Sequence, residues 1–342
     1  MDLQSGERLT NQVSVAAPPG RRQRSLRRTS SLQSFWPSGV RGPVAFVGRG
    51  RDLYTGLEGA APRVWSDDQV EITLTLDKRI ERIDASRQQA KLAKLAGKRP
   101  GGELRKQMAE DIADEVAQST ILHRLLDDLA GATFLAPGAW LAWLPGGAKE
   151  YEAILGPQSR LHRTVEGLCI SYTPGSPSMT QEGRSNQAIA DHPHRALPFR
   201  ADDSLAWHEF ACIEGPNLWR IRQMDLWLDN GLLHASAGFQ DSAALANRLD
   251  QRAVFHEYRL TAVIDPEGFV LRAIDVTPGI LPFRTCLAAP DTAKSLIGKP
   301  VSDFRRIVPA ALPGIAGCTH LNEALRALQD LHGMANSLRT LM

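Results

Sequence analysis

The chain reads as an α+β protein made of a duplicated module, an antiparallel sheet covered by helices. Three observations predict this: short segments of alternating hydrophobicity bounded by turn residues, Leu-rich stretches with three- and four-residue spacing, and the return of both, in the same order, in the second half. Residues 1–28 are expected to be a mobile basic tail. They are polar, carry Pro18, Pro19 and Gly20, and end in Arg21, Arg22, Arg24, Arg27 and Arg28, a run expected to stay solvated.

The first module is expected over residues 29–144. Strands are predicted at Val44–Tyr54, Val70–Leu76 and Ile80–Asp84, with Asp77-Lys78-Arg79 turning the chain between the last two. From Glu103 onward, Leu104, Met108, Ile112, Val116, Leu122, Leu125, Leu126 and Leu129 mark an amphipathic helix, broken near Ser119. Residues 145–216, rich in Pro, Gly, Ser and His, read as a connecting loop region. They include the turn-prone Tyr172-Thr173-Pro174-Gly175 and the pair His192 and His194. The second module, residues 217–342, contains a hairpin of Val254–Ile264 and Phe269–Val276 about Asp265-Pro266-Glu267-Gly268.

Four matches suggest that the second module copies the first. Arg51-Asp52-Leu53-Tyr54 resembles Met224-Asp225-Leu226-Trp227, Ile83-Asp84 resembles Ile274-Asp275, and Leu95-Ala96-Gly97-Lys98 resembles Leu296-Ile297-Gly298-Lys299. His123 and His320 each open a leucine-rich helix. On this pattern Asp84 with His123 and Asp275 with His320 should occupy corresponding positions about a pseudo-two-fold axis.

Composition excludes several functions. Forty Lys and Arg against 38 Asp and Glu leave a net charge of +2, too small a field to imply nucleic acid or a membrane surface as partner. The longest apolar stretches fall short of the roughly 20 residues that span a bilayer, and the Arg-rich start lacks an apolar secretory core. Cys169, Cys212, Cys286 and Cys318 are widely spaced and are expected to be free thiols, which agrees with a cytoplasmic location. Gly48-Arg49-Gly50 does not make a nucleotide-binding loop, and no nucleophile-elbow sequence is present.

Several stretches resemble a bacterial family described only as a domain of unknown function: Arg28-Thr29-Ser30-Ser31, Trp36-Pro37, Gly48-Arg49-Gly50-Arg51-Asp52-Leu53 and, most specifically, Gly317-Cys318-Thr319-His320-Leu321. The matching segments run from Arg27 to Leu331. The long form is similar to gamma-formaldehyde lyases of lignin-derived phenylcoumarans. The resemblance implies a cofactor-independent lyase acting on a small hydroxylated aromatic substrate. The competing expectation is a non-catalytic small-molecule-binding or assembly protein, including a homo-oligomer.

For such chemistry His256, Asp275 and His320 are the expected proton-handling residues, with Tyr172 contacting a phenol from its loop. Trp36, Trp65 and Trp207 are candidate substrate-stacking residues, although core filling is the favoured reading for each. His256 and Tyr258 should share one strand face, and Glu257 and Arg259 the other as a solvated or structural charge pair. Thr319 is expected to cap the helix that His320 opens. Cys286, Cys318 and His320, with Asp275, are chemically suited to zinc, but their spacing defines no metal motif, and no metal is expected. Asp127-Asp128 beside His123 reads as a solvated helix edge.

Overall fold

In the computed structural model, residues 14–15, 19–156, 161, 163–186, 194–196, 203–246 and 248–342 are described. The strands are β1 Ser25–Phe35, β2 Val44–Thr55, β3 Arg63–Leu74, β4 Ile80–Ala85, β5 His194–Ala196, β6 Asn217–Asp229, β7 Leu232–Leu245, β8 Arg248–Asp265 and β9 Val270–Pro278. They form one antiparallel sheet in the order β4-β3-β2-β1-β6-β7-β8, with β9 and the short β5 both paired to β8. The α+β class is thus observed. Two meanders, β1 to β4 and β6 to β9, meet where β1 runs antiparallel to β6, with Ser30 opposite Arg222.

The helices are α1 Gln89–Leu92, α2 Gly102–Asp111, α3 Ala113–Ala117, α4 Ile121–Leu135, α5 Gly138–Trp143, α6 Gly147–Leu155, α7 Phe304–Ala311, α8 Thr319–Ala327 and α9 Asp330–Leu341. Thr120 caps α4 by accepting a hydrogen bond from the His123 amide, and the predicted break falls at Ser119, whose φ is 49°. One core joins Leu32, Phe46, Val70 and Ile72 to the apolar side of α4. A second joins Met224, Phe239, Tyr258 and Leu260 to α7, α8 and α9.

Because side chains alternate along a strand, residues paired in register share a face. The helix-covered face therefore carries two cross-strand rows: Arg28, Asp52 and Ser66 on β1, β2 and β3, and Arg220, Asp241 and His256 on β6, β7 and β8. Immediately after each aspartate the register slips by one residue. Trp65 is the extra residue of the first slip and Phe255 of the second, each in a β-bulge.

Two expectations about charge are corrected by burial, and a third is narrowed. Arg27 and Arg28 are not solvated tail residues: β1 is central in the sheet, and they form two-pronged pairs with Asp225 and Asp52. Asp127 and Asp128 are not an open helix edge. Asp128 accepts from Arg222 and Arg124, and Asp127 is surrounded by Arg105, Arg124, Arg305 and Arg326. Glu257 is fully buried and accepts from Ser14, Gln240 and the Val15 amide, while Arg259 donates to the Val15 carbonyl. A buried carboxylate is tolerable only with such partners, which explains why these acids recur beside arginines.

The face opposite the helices is covered in part by residues 203–211. Thr29 donates to the Ala206 carbonyl, Ser31 meets His208 Nε2, and Gln33 bonds both polar groups of the Ala211 backbone. Among the described residues, no helix is long and apolar enough to cross a membrane, and all four cysteines are free.

Candidate functional site

The second cross-strand row ends in a pair of imidazoles. His256 on β8 and His320 on α8 stack with ring centroids 3.4 Å apart and planes 17° apart. The sequence before α8 directs this meeting. Gly317 leaves no room for a side chain, since a Cβ there would lie 2.8 Å from the Leu312 carbonyl oxygen, and that close turn carries Cys318 and His320 onto the sheet. Cys318, not Thr319, is the N-cap of α8, without a side-chain cap bond; Thr319 Oγ1 instead lies 3.4 Å from His320 Nδ1. Phe134 approaches His320 at 6.5 Å between centroids.

Beneath the rings, Arg220 donates from Nε and Nη2 to the two oxygens of Asp241, at 2.9 and 3.0 Å, and from Nη1 to Glu323 at 2.5 Å. Gly131 of α4 sits directly over this guanidinium, where a side chain would overlap it. Asp241 and His256 are buried and His320 is partly so, and this desolvation governs the protonation states. Burial, with the positive charge of Arg220, pushes the His256 pKa down to about 3. His320 is driven well below its ordinary value by burial, by His256 and by Arg220. Burial raises the pKa of Asp241 against the pull of Arg220. Both imidazoles are therefore neutral at physiological pH. His256 Nδ1 is buried with no hydrogen-bond partner.

The expected residues divide sharply. His256 and His320 converge, as the sequence suggests. Asp275 does not join them: it is exposed on β9, opposite Thr261 of β8. Asp241, two strands inward, occupies the place expected for it. Tyr172 hydrogen-bonds Ser185 and packs edge-on against Phe283; no contact joins it to either histidine. Tyr258 does share the His256 face and reaches Cys318 at 3.5 Å. Trp36 packs edge-on against Trp140, and Trp207 is core, 4% exposed, whereas Trp65 is 40% exposed at its bulge. Asp191, His192 and Pro193 lie outside the described residues.

Asp241, His256 and His320 also form the only trio of potential metal donors found among the described residues, with ligand atoms within 4.8 Å of one another. It differs from the set of Cys286, Cys318, His320 and Asp275. Imidazole lone pairs lie in the ring plane, so two nearly parallel stacked rings direct theirs side by side. A zinc ion about 2.0–2.1 Å from both nitrogens would require one ring to turn. The observed arrangement suits proton handling better than ligation.

The profile of a family described as "Protein of unknown function (DUF2889)" matches residues 219–333. Arg220, Asp241, His256, His320 and Glu323 all fall within that span. No curated protein and no solved structure matches the chain.

Proposed function

We propose that the chain is a cofactor-independent lyase that releases formaldehyde from a hydroxylated aromatic alcohol of the phenylcoumaran type. The observation that carries the chemistry is the neutral His256–His320 stack, buried at His256 and half-buried at His320, over the Arg220–Asp241 pair; the substrate class rests on the family resemblance. One imidazole accepts the proton of the hydroxymethyl O–H. The bond from the hydroxymethyl carbon to the aromatic fragment then breaks, formaldehyde leaves, and the electron pair stays on the fragment, which takes the proton back. An imidazole with a depressed pKa is a poor base in the empty site. Negative charge developing on the fragment supplies the counter-charge that burial and Arg220 withhold, so proton transfer becomes favourable as the bond cleaves.

Purified protein incubated with hydroxymethyl-bearing phenylcoumarans should release formaldehyde. His320→Ala should lower turnover by about 10²-fold or more, the usual weight of a general base, while His123→Ala, remote from the stack, should retain it. Absence of turnover across that substrate class by folded protein would sink the assignment.

The two halves are, on the same proposal, copies of one module. Their support is the matched order of the meanders, the bulges after Asp52 and Asp241, and a shared hook. Gly97 and Lys98 bracket Ile80 by backbone hydrogen bonds as Gly298 and Lys299 bracket Leu271. Asp84 and Asp275 then correspond, as the sequence suggests. The register pairs Asp52 with Asp241, not Asp225, which lies opposite Arg27 on the other face. The helices align through Arg124, Leu126, Asp128, Leu129 and Gly131 with Arg326, Leu328, Asp330, Leu331 and Gly333, which sets His123 against Leu325.

A further inference from the structure

The cleft beside the first cross-strand row has a volume of about 340 Å³ and is lined by Arg28, Asp52, Trp65, Ser66, Gln118 and Gly333, among others. We infer that this cleft is a second binding site for the same class of ligand, a hydroxylated aromatic alcohol, which it holds without converting. The inference rests on the function proposed above for the histidine site.

The correspondence is residue by residue. Arg28 grips Asp52 from Nε and Nη2, both at 2.8 Å, as Arg220 grips Asp241. Ser66 stands opposite Asp52 where His256 stands opposite Asp241. Trp65 is bulged beside the first aspartate as Phe255 is beside the second. Gln118 lies thirteen residues before Gly131, as His320 lies thirteen before Gly333. The two glycines exchange sites: Gly131 abuts Arg220, while Gly333 lines the first cleft and packs on the Gln118 carbonyl. A two-fold relation between the halves produces this crossing.

What differs is the chemistry. The positions of both imidazoles carry Ser66 and Gln118, which donate and accept hydrogen bonds but take no proton near neutral pH. Binding features remain. The indole of Trp65 offers an exposed aromatic face, and Thr120, Asn336 and Ser337 add hydroxyl and amide groups. The charges are largely spent on one another: Arg28 on Asp52, and Arg87 on Asp68 and Glu115. That balance suits an uncharged ligand, and the volume lies at the lower end of small-molecule pockets, about 300–1,000 Å³.

Calorimetric titration of the full chain with 4-hydroxybenzyl alcohol, an aromatic alcohol with no aliphatic carbon–carbon bond to cleave, tests the inference. Two molecules should bind per chain. Asn336→Trp, which fills the cleft from the exposed side of α9, should abolish one of them and leave formaldehyde release from a phenylcoumaran unchanged. His320→Ala should remove turnover and leave the cleft occupied. One site in the wild type, no binding, or two sites surviving in Asn336→Trp would overturn the inference. Two sites reduced to one by Asn336→Trp, without turnover of any phenylcoumaran, would retain the twin site and refute only the lyase.

Discussion

Substituting Gly131 by alanine isolates the contact on which the histidine site depends. A Cβ at this position would lie 2.6 Å from Arg220 Cζ, closer still to Nη1, and against the Glu323 carboxylate. Although a guanidinium ends a flexible side chain, this one cannot swing away cheaply. It is fully buried and held by two bonds to Asp241 and one to Glu323. Displacing it leaves Asp241 buried without its partner, a loss of about 3–5 kcal/mol. Alanine is the better helix former by about 1 kcal/mol, so the net destabilisation is roughly 2–4 kcal/mol. At about 2 °C per kcal/mol, suitable for a long chain, Gly131→Ala should lower Tm by roughly 4–8 °C. Thermal unfolding followed by circular dichroism reads this directly. Gly102→Ala, also in a helix but with nothing within 4 Å of the added Cβ, should unfold no earlier than the wild type. If Gly131→Ala melts at or above the wild-type temperature, α4 does not clamp Arg220, and the rigid support claimed for the histidine pair is wrong.

Other perturbations probe separate parts of the same design. Asp128→Asn leaves Arg222 buried without a carboxylate and should cost about 3–5 kcal/mol in urea unfolding; a change under 1 kcal/mol would show that the network is not tightly desolvated. His123 has its pKa pushed down to about 3, chiefly by burial and then by Arg305. Between that value and about 6.5 the unfolded chain binds a proton that the folded chain refuses, so stability is fully present above pH 6.5 and falls as pH drops. His123→Leu should therefore flatten the dependence of unfolding free energy on pH between 4 and 6 by about 1.4 kcal/mol per pH unit. An unchanged slope would refute the buried neutral state.

Much of the fold was legible because its signals are local. The alternation of Val44–Tyr54, the turn at Lys78 with φ of 66°, and the hairpin about Gly268 each lie within a dozen residues, and each forms where the pattern puts it. β1 escaped notice because its segment, Ser25-Leu26-Arg27-Arg28-Thr29-Ser30-Ser31, is polar but for Leu26, the usual mark of a solvated tail. It is central instead because its buried polar groups find partners far away in sequence, among them Asp225 for Arg27, Asp52 for Arg28 and the Ala206 carbonyl for Thr29. Periodicity cannot report such satisfaction, and the same blindness hid the burial of Asp128 and Glu257.

The site shows the same division between local and distant information. His320 was singled out by its glycine-rich approach and His256 by strand alternation, so both imidazoles were accessible to local reading. Asp241 was not, because nothing near it in sequence distinguishes it; its meaning comes from Arg220 and His256 on neighbouring strands. Asp275 was preferred for its repeat match to Asp84, but it lies exposed on β9, away from both histidines. The more informative pattern is Arg-x-Leu-x-Asp-Leu-x-Gly at Arg124 and again at Arg326: its first glycine abuts Arg220, and its second packs on the Gln118 carbonyl beside the cleft that Arg28 and Asp52 line. On the proposed duplication, an alignment read only through residues that look catalytic sets His123 against His320. Read through the glycines and arginines that packing cannot replace, the proposed duplication sets Ser66 and Gln118 against the histidine pair, and the proposed separation of proton transfer from binding follows from that alignment.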